Sequence, residues 1–174
     1  LNDFIAYNDT DKSFENVDAT IYGLELSGAY FATNALYFDY GMAYQRGRKK
    51  DALNNQTDKD MPEIPPFKFN GAVNYDYDDT LKLKAEVIAS DSWSAFDADN
   101  GEQELDAYAV VNLRGTKEFG KNFELTVGID NLLDKTYAVS NTYKDLTLLT
   151  GDDDGVMLMN EPGRYFYTNI KYKF

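Results

Sequence analysis

Residues 165–174 read YFYTNIKYKF. Phe166, Thr168, Ile170, Tyr172 and Phe174 fall on one parity; Tyr165, Tyr167, Asn169, Lys171 and Lys173 fall on the other. Successive side chains of a strand point to opposite faces, so this period of two predicts a strand with one apolar and one polar face. A strand of about ten residues is long enough to cross a bilayer at a tilt.

The same pattern recurs upstream. In 122–130, Phe123, Leu125, Val127 and Ile129 alternate with Glu124, Thr126, Gly128 and Asp130. In 36–45, Leu36, Phe38, Tyr40, Met42 and Tyr44 alternate with Tyr37, Asp39, Gly41, Ala43 and Gln45. Residues 20–31, 67–77, 81–89 and 106–116 fit the same template, and 3–7 reads as a shortened first strand. The connections around 33–35, 78–80 and 119–122 are tight and rich in Asn, Asp and Gly, as turns require. Those at 8–18, 46–65, 91–105 and 140–163 are long and polar. Short turns at one end and long loops at the other are the plan of an antiparallel transmembrane β-barrel. A soluble sandwich would also alternate, but its strands average about five or six residues. It would not place Phe67, Tyr75, Tyr77, Tyr44, Tyr172 and Phe174 toward strand ends, where membrane girdles sit.

Composition agrees. The 174 residues include 17 Lys and Arg against 30 Asp and Glu, for a net charge of −13, which disfavours a nucleic-acid partner. Cys and His are absent, which excludes disulfides, thiolate sites and His-based catalysis, and no enzyme is predicted. The 14 Tyr, 11 Phe and single Trp favour strands. Mean hydropathy is −0.54 and no stretch is apolar enough for a membrane helix, but alternating barrel strands average out in the same way. The chain begins at Leu1 without a visible secretory leader, and we expect a mature product or part of a longer chain.

Several loop residues are candidate ligands. Asp152, Asp153 and Asp154 precede Met157 and Met159, a pairing of hard carboxylates with soft thioethers that could take a metal ion; an acidic run is also simply well solvated. Arg46 and Arg48, with Lys49 and Lys50, could meet lipid phosphates or another anionic ligand, although an exposed loop rim accounts for them as well. Trp93, Phe96 and Tyr143 lie in outer loops where aromatics stack on ligands or anchor at an interface. Asn131, Asp134 and Lys135 could bind a ligand but read better as bonds within the wall or to a domain packed inside it.

Specific motifs are superposed on this frame. Residues 127–138, VGIDNLLDKTYA, resemble the "NLFDK-Y" signature near the end of TonB-dependent outer-membrane receptors. Pro162-Gly163-Arg164 and a terminal strand ending in Phe174 resemble that family's close. Ile64-Pro65-Pro66-Phe67-Lys68 and Ile21-Tyr22-Gly23-Leu24-Glu25 resemble two further family segments. The resemblance implies that residues 1–174 are the C-terminal portion of a barrel of about 22 strands, supplying about its last eight, with the plug domain and TonB box elsewhere. It implies active import of a scarce ligand, a ferric siderophore or other metal complex first, driven by the TonB-ExbB-ExbD system. No intrinsic cofactor is expected. Implied partners are the remaining strands and plug, outer-membrane lipids and lipopolysaccharide, and the barrel assembly machinery, with Phe174 as the assembly signal. The implied location is the bacterial outer membrane, long loops extracellular and the C-terminus periplasmic. The competing expectations are a self-contained eight-stranded barrel with a structural or adhesion role and, third, a lipocalin-like carrier.

Overall fold

Each alternating segment becomes a strand. The computed structural model describes residues 1–139 and 159–174. In chain order the strands are β1 (Phe4–Asn8), β2 (Ser13–Val17), β3 (Ala19–Phe31), β4 (Leu36–Lys49), β5 (Lys68–Asp76), β6 (Leu81–Ser90), β7 (Tyr108–Phe119), β8 (Phe123–Asp130) and β9 (Tyr165–Tyr172). Strands β3 to β9 form one seven-stranded antiparallel sheet in sequence order, and β1 pairs only with β2. All eight expected strands are present, the first as the short β1, and β2 is added to them. The short alternation Ser13–Val17, inside the stretch read as a long connection, pairs with β1 and runs almost directly into β3. Strand β4 also extends four residues beyond its predicted end, to Lys49.

Register makes the sheet two-faced. One row crosses all seven strands as Tyr30, Phe38, Val73, Ala85, Leu113, Ile129 and Phe166. The neighbouring row on the other face includes Asp39, Ala72, Glu86 and Asn112. A slip of one residue in any strand would send its whole apolar set to the polar face, so the patterning fixes register everywhere at once. Leu24, Leu26, Val73, Leu83, Val127, Phe166 and Ile170 are all exposed. An apolar face of this extent far exceeds the patches that soluble monomers leave in water.

Turn chemistry holds one end. The Thr33 hydroxyl accepts hydrogen bonds from the Ala35 and Leu36 amides at 3.2 and 2.9 Å. The Asp78 carboxylate accepts from the Thr80 hydroxyl at 2.6 Å and from the Thr80 and Leu81 amides at 2.7 Å each. Those donors stabilise its charged form and pull its pKa down to about 2. Gly120, at φ +64°, supplies the left-handed residue of the β7–β8 turn. Above the turns lie aromatic pairs on the apolar face: Tyr30 with Phe38, Phe119 with Phe123 and Tyr172 with Phe174, centroids 6.4, 5.6 and 5.2 Å apart.

No central core exists among the described residues. Two small apolar clusters sit at the long-loop end: Ala6, Val17 and Leu53, and Trp93, Leu105 and Ala138. The sheet is open. Leu1 exchanges hydrogen bonds with Ala19 on the edge of β3 away from β4, so the start of that edge is occupied by a residue other than β9. A self-contained barrel closed by pairing β9 to β3 is not the arrangement observed.

The faces predict opposite responses to charge. Leu26→Arg, on the apolar face of β3, should cost about 2–4 kcal/mol of folding stability in a bilayer, whereas Ser27→Arg beside it should cost little. The folded fraction of the full-length protein in lipid, read from heat-modifiable gel mobility, distinguishes the two.

Candidate functional site

An acidic loop that folds back on itself must find donors for its carboxylates. Here the hairpin tip, the 50–66 loop and the 91–107 loop meet over the polar face and supply them. Asn8 is fully buried. Its Oδ1 accepts from the Thr10 and Asp11 amides at 2.9 and 3.1 Å, closing the hairpin tip, and from Gln56 Nε2 at 3.0 Å. Its Nδ2 donates to Asn54 O at 2.8 Å and to the Glu15 carboxylate. Gln56 Nε2 also donates to Asn100 Oδ1 at 2.9 Å, which accepts from the Asp9 amide at 2.8 Å. Asn8, Gln56 and Asn100 thus join three loops at one point.

Beneath them lies an ion pair. Lys49, on the polar parity of β4, reaches Asp97 at 2.6 Å with side chains 1% and 0% exposed. Asn100 Nδ2 donates to the same Asp97 oxygen at 2.8 Å, whereas Oδ1 of Asp97 has no hydrogen-bond partner among the described residues. A buried pair of this kind repays its desolvation only through geometry; it orients more than it stabilises. Acids also cap loop amides. Asp99 accepts from Thr57 and Asp58 N–H at 2.6 and 2.7 Å, and Asp58 in turn accepts from Ala98 N–H at 3.0 Å. The Asp58 and Thr57 amides lower the Asp99 pKa.

Below the loops the polar face carries a ladder of side-chain bonds. Asn74 donates to Asp39 at 2.7 Å and Asn112 to Glu86 at 3.2 Å across neighbouring strands, Lys84 pairs with Glu86 at 2.8 Å along β6, and Arg114 Nε donates to the Tyr167 hydroxyl at 2.8 Å. A wall lined this way suits polar cargo or a polar domain packed within it.

The candidate residues separate by position. Arg46 donates to Asp60 at 2.7 Å, and Arg48 is exposed; both lie on the apolar parity of β4, opposite Lys49. Trp93 is 7% exposed in the cluster with Leu105 and Ala138, and Phe96 packs against it. Met159 and Phe174 are exposed. Tyr143, Asp152, Asp153, Asp154 and Met157 lie outside the described residues. Among the described residues no group of three acids could hold a metal. Asn131 is buried, as a wall residue: it accepts from Lys135 N–H at 2.8 Å and donates to Lys135 O at 2.7 Å, while Asp134 accepts from Arg164 N–H at 2.8 Å. Both Asn131 and Asp134 adopt positive φ, so the NLLDK segment forms a turn clamped to Pro162-Gly163-Arg164. Asn8, Gln56, Asp97 and Asn100 gave no signal in the sequence beyond ordinary loop polarity, and Lys49, grouped there with the loop cations, is instead buried against Asp97.

Known proteins are similar to this chain in sequence and fold. Residues 1–132 match the family described as TonB dependent receptor-like, beta-barrel. The ferric enterobactin receptor of Pseudomonas aeruginosa is 27% identical over 170 residues, covering 92% of this chain and 22% of that protein. The vitamin B12 transporter BtuB of Photobacterium profundum is 29% identical over 160 residues, covering 91% and 22%. The chain therefore spans less than a quarter of the length of these relatives. Among solved structures, copper transporter OprC superposes with a TM-score of 0.82 at 25% identity, covering 99% of this chain and 27% of that one.

Asp97→Ala would leave Lys49 charged and unpaired, and should destabilise the loop cluster by about 3–5 kcal/mol. Protease sensitivity of the 91–107 loop should rise, and Lys49→Met with Asp97→Leu should largely restore protection. The Asp99 contribution follows its lowered pKa: it is complete above the ordinary Asp value and is lost as pH falls through the native one. Hydrogen exchange at the Thr57 and Asp58 amides should quicken on acidification in that window, and an Asp99→Asn variant should show no such step.

Proposed function

The chain belongs to the TonB-dependent receptor β-barrel family, and we propose that it forms the C-terminal wall and loops of an outer-membrane importer of a scarce metal complex, a ferric siderophore first. The observation that carries the proposal is the two-faced sheet: an apolar row across seven strands on one side and a hydrogen-bonded polar ladder on the other. The apolar side meets lipid, and the polar side meets a water-filled or plugged lumen.

Three features support the finer parts of this reading. Alternate residues of β3 from Ile21 onward turn their N–H and C=O groups toward the edge that Leu1 begins to occupy. In hydrocarbon each unpaired group costs several kcal/mol, so further strands of the same receptor pair there. The short turns face the periplasm and the interlocked long loops face outside, as in bacterial barrels generally. Cargo is gathered by the loops, passes along the polar ladder, and moves when the TonB-ExbB-ExbD system acts on the plug, which lies elsewhere in the receptor. The ligands in the relatives' names, ferric enterobactin, vitamin B12 and copper, support cargo of the metal-bearing class.

The full receptor should restore growth of an uptake-deficient host on a ferric siderophore under iron limitation, and removing TonB should abolish that growth. Growth that persists without TonB would defeat energised import.

A further inference from the structure

Two Asn-Gly dipeptides occur in the chain, Asn70-Gly71 and Asn100-Gly101. Glycine after asparagine leaves the next amide nitrogen unshielded, so that nitrogen can reach the asparagine side-chain carbonyl. The fold holds the two pairs differently. Asn70 and Gly71 lie inside β5, paired to Gly41 and Tyr40 on one side and to Ile88 and Val87 on the other. Asn100 and Gly101 lie in the 91–107 loop, outside every strand. There Gly101 has φ +81°, and its N–H donates to Ala98 O at 3.1 Å. A side chain added to Gly101 would meet nothing within 4 Å, so the space beside this peptide is open.

Asn100 is also where a change of charge would do most. Its Nδ2 donates to Asp97 Oδ2 at 2.8 Å, and its Oδ1 accepts from the Asp9 amide and from Gln56 Nε2. Asp97 is fully buried against Lys49, and its Oδ1 already lacks a hydrogen-bond partner among the described residues. A carboxylate in place of the Asn100 amide would remove a donor and set two negative charges side by side in a buried place, where each disfavours the other. While the junction is closed, these bonds fix the Asn100 side chain, and Ala98 O holds the Gly101 N–H. Reaction therefore waits for the loop to open. Loops open locally far more readily than strands paired on both sides.

We propose that Asn100 is a self-modifying site: opening of the loop junction exposes it to attack by Gly101, and conversion of its amide to a carboxylate keeps the junction from closing again. The Gly101 nitrogen gives its proton to hydroxide and bonds to Asn100 Cγ. The Cγ–Nδ2 bond breaks, and Nδ2 takes a proton from water and leaves as ammonia. Water then opens the cyclic imide at either carbonyl, giving aspartate or isoaspartate. The isoaspartyl product also inserts a methylene into the main chain before Gly101. That displaces Glu102, whose carboxylate caps the Glu63 and Asp97 amides at 2.6 and 2.7 Å. The junction thereby keeps a permanent chemical record of having opened.

The test ages the full receptor, purified in detergent from outer membranes, in mildly alkaline buffer made with heavy-oxygen water, and maps its peptides by mass spectrometry. Asn100 should convert to aspartate and isoaspartate at least about tenfold faster than Asn70, because a loop opens far more often than a wall strand. The converted residue should carry a heavy oxygen. Asn100 that stays an amide, or converts no faster than Asn70, overturns the proposal. Gln56→Ala removes a clamp without touching the dipeptide and should quicken conversion several-fold; an unchanged rate overturns the gating by loop opening. The consequence is read with protease. N100D should raise cleavage of the 91–107 loop about tenfold, since cleavage follows the open population, and unchanged cleavage overturns the proposal as well. Should N100D not fold, aged wild-type receptor separated by charge into converted and unconverted fractions gives the same comparison.

Discussion

Everything in this chain depends on keeping backbone N–H and C=O groups paired where no water can reach them. In hydrocarbon an open group costs several kcal/mol, and the only sheet that pays nothing is one whose every strand has two neighbours. Strands β4 to β8 meet that condition within the described residues. Once pairing secures the backbone, the side chains are freed from the usual rule. The wall needs no core, so its large apolar residues point away from the protein and its hydrogen-bonding residues toward the interior. The two apolar clusters that do form lie at the loops, where the chain leaves the sheet and must fold as a water-soluble protein folds.

The acidic excess has a structural use at that end. Asp58, Asp99 and Glu102 cap backbone amides of neighbouring loops, so much of the negative charge is spent on donors that a loop without regular structure would otherwise leave bare. The buried Lys49–Asp97 pair belongs to the same logic. Its attraction barely covers its desolvation, but it fixes the 91–107 loop on the end of β4 at a single position. Arg48, the preceding residue, shows how sharply the strand geometry divides labour: one position along β4 separates a cation buried under loops from one exposed on the apolar side.

The wall was legible in the sequence because a period of two is a local signal repeated in every strand. Strand β9 and the apolar parity of each wall strand follow directly from it. The hairpin was less legible. Residues Ser13–Val17 alternate over only five positions and are flanked by polar residues, which suits a long loop equally well. The loop cluster was not legible at all. Asn8, Gln56 and Asn100 are ordinary loop amides until the fold brings together positions more than 40 residues apart, and no spacing rule encodes such a meeting. The NLLDK and PGR segments lay between these cases. Their resemblance to family segments was visible, but the clamp between Asp134 and Arg164 needed coordinates.

The meeting of three loops at Asn8, Gln56 and Asn100 bears on how such a surface can change. A loop that stood alone could vary in length and composition without disturbing its neighbours. Here an insertion near Gln56 would withdraw a donor from the hairpin and from the 91–107 loop together. Diversification at this rim is therefore constrained to move as a block: the hairpin and both loops transplant as one cassette, and a graft of any single loop inherits two broken anchors.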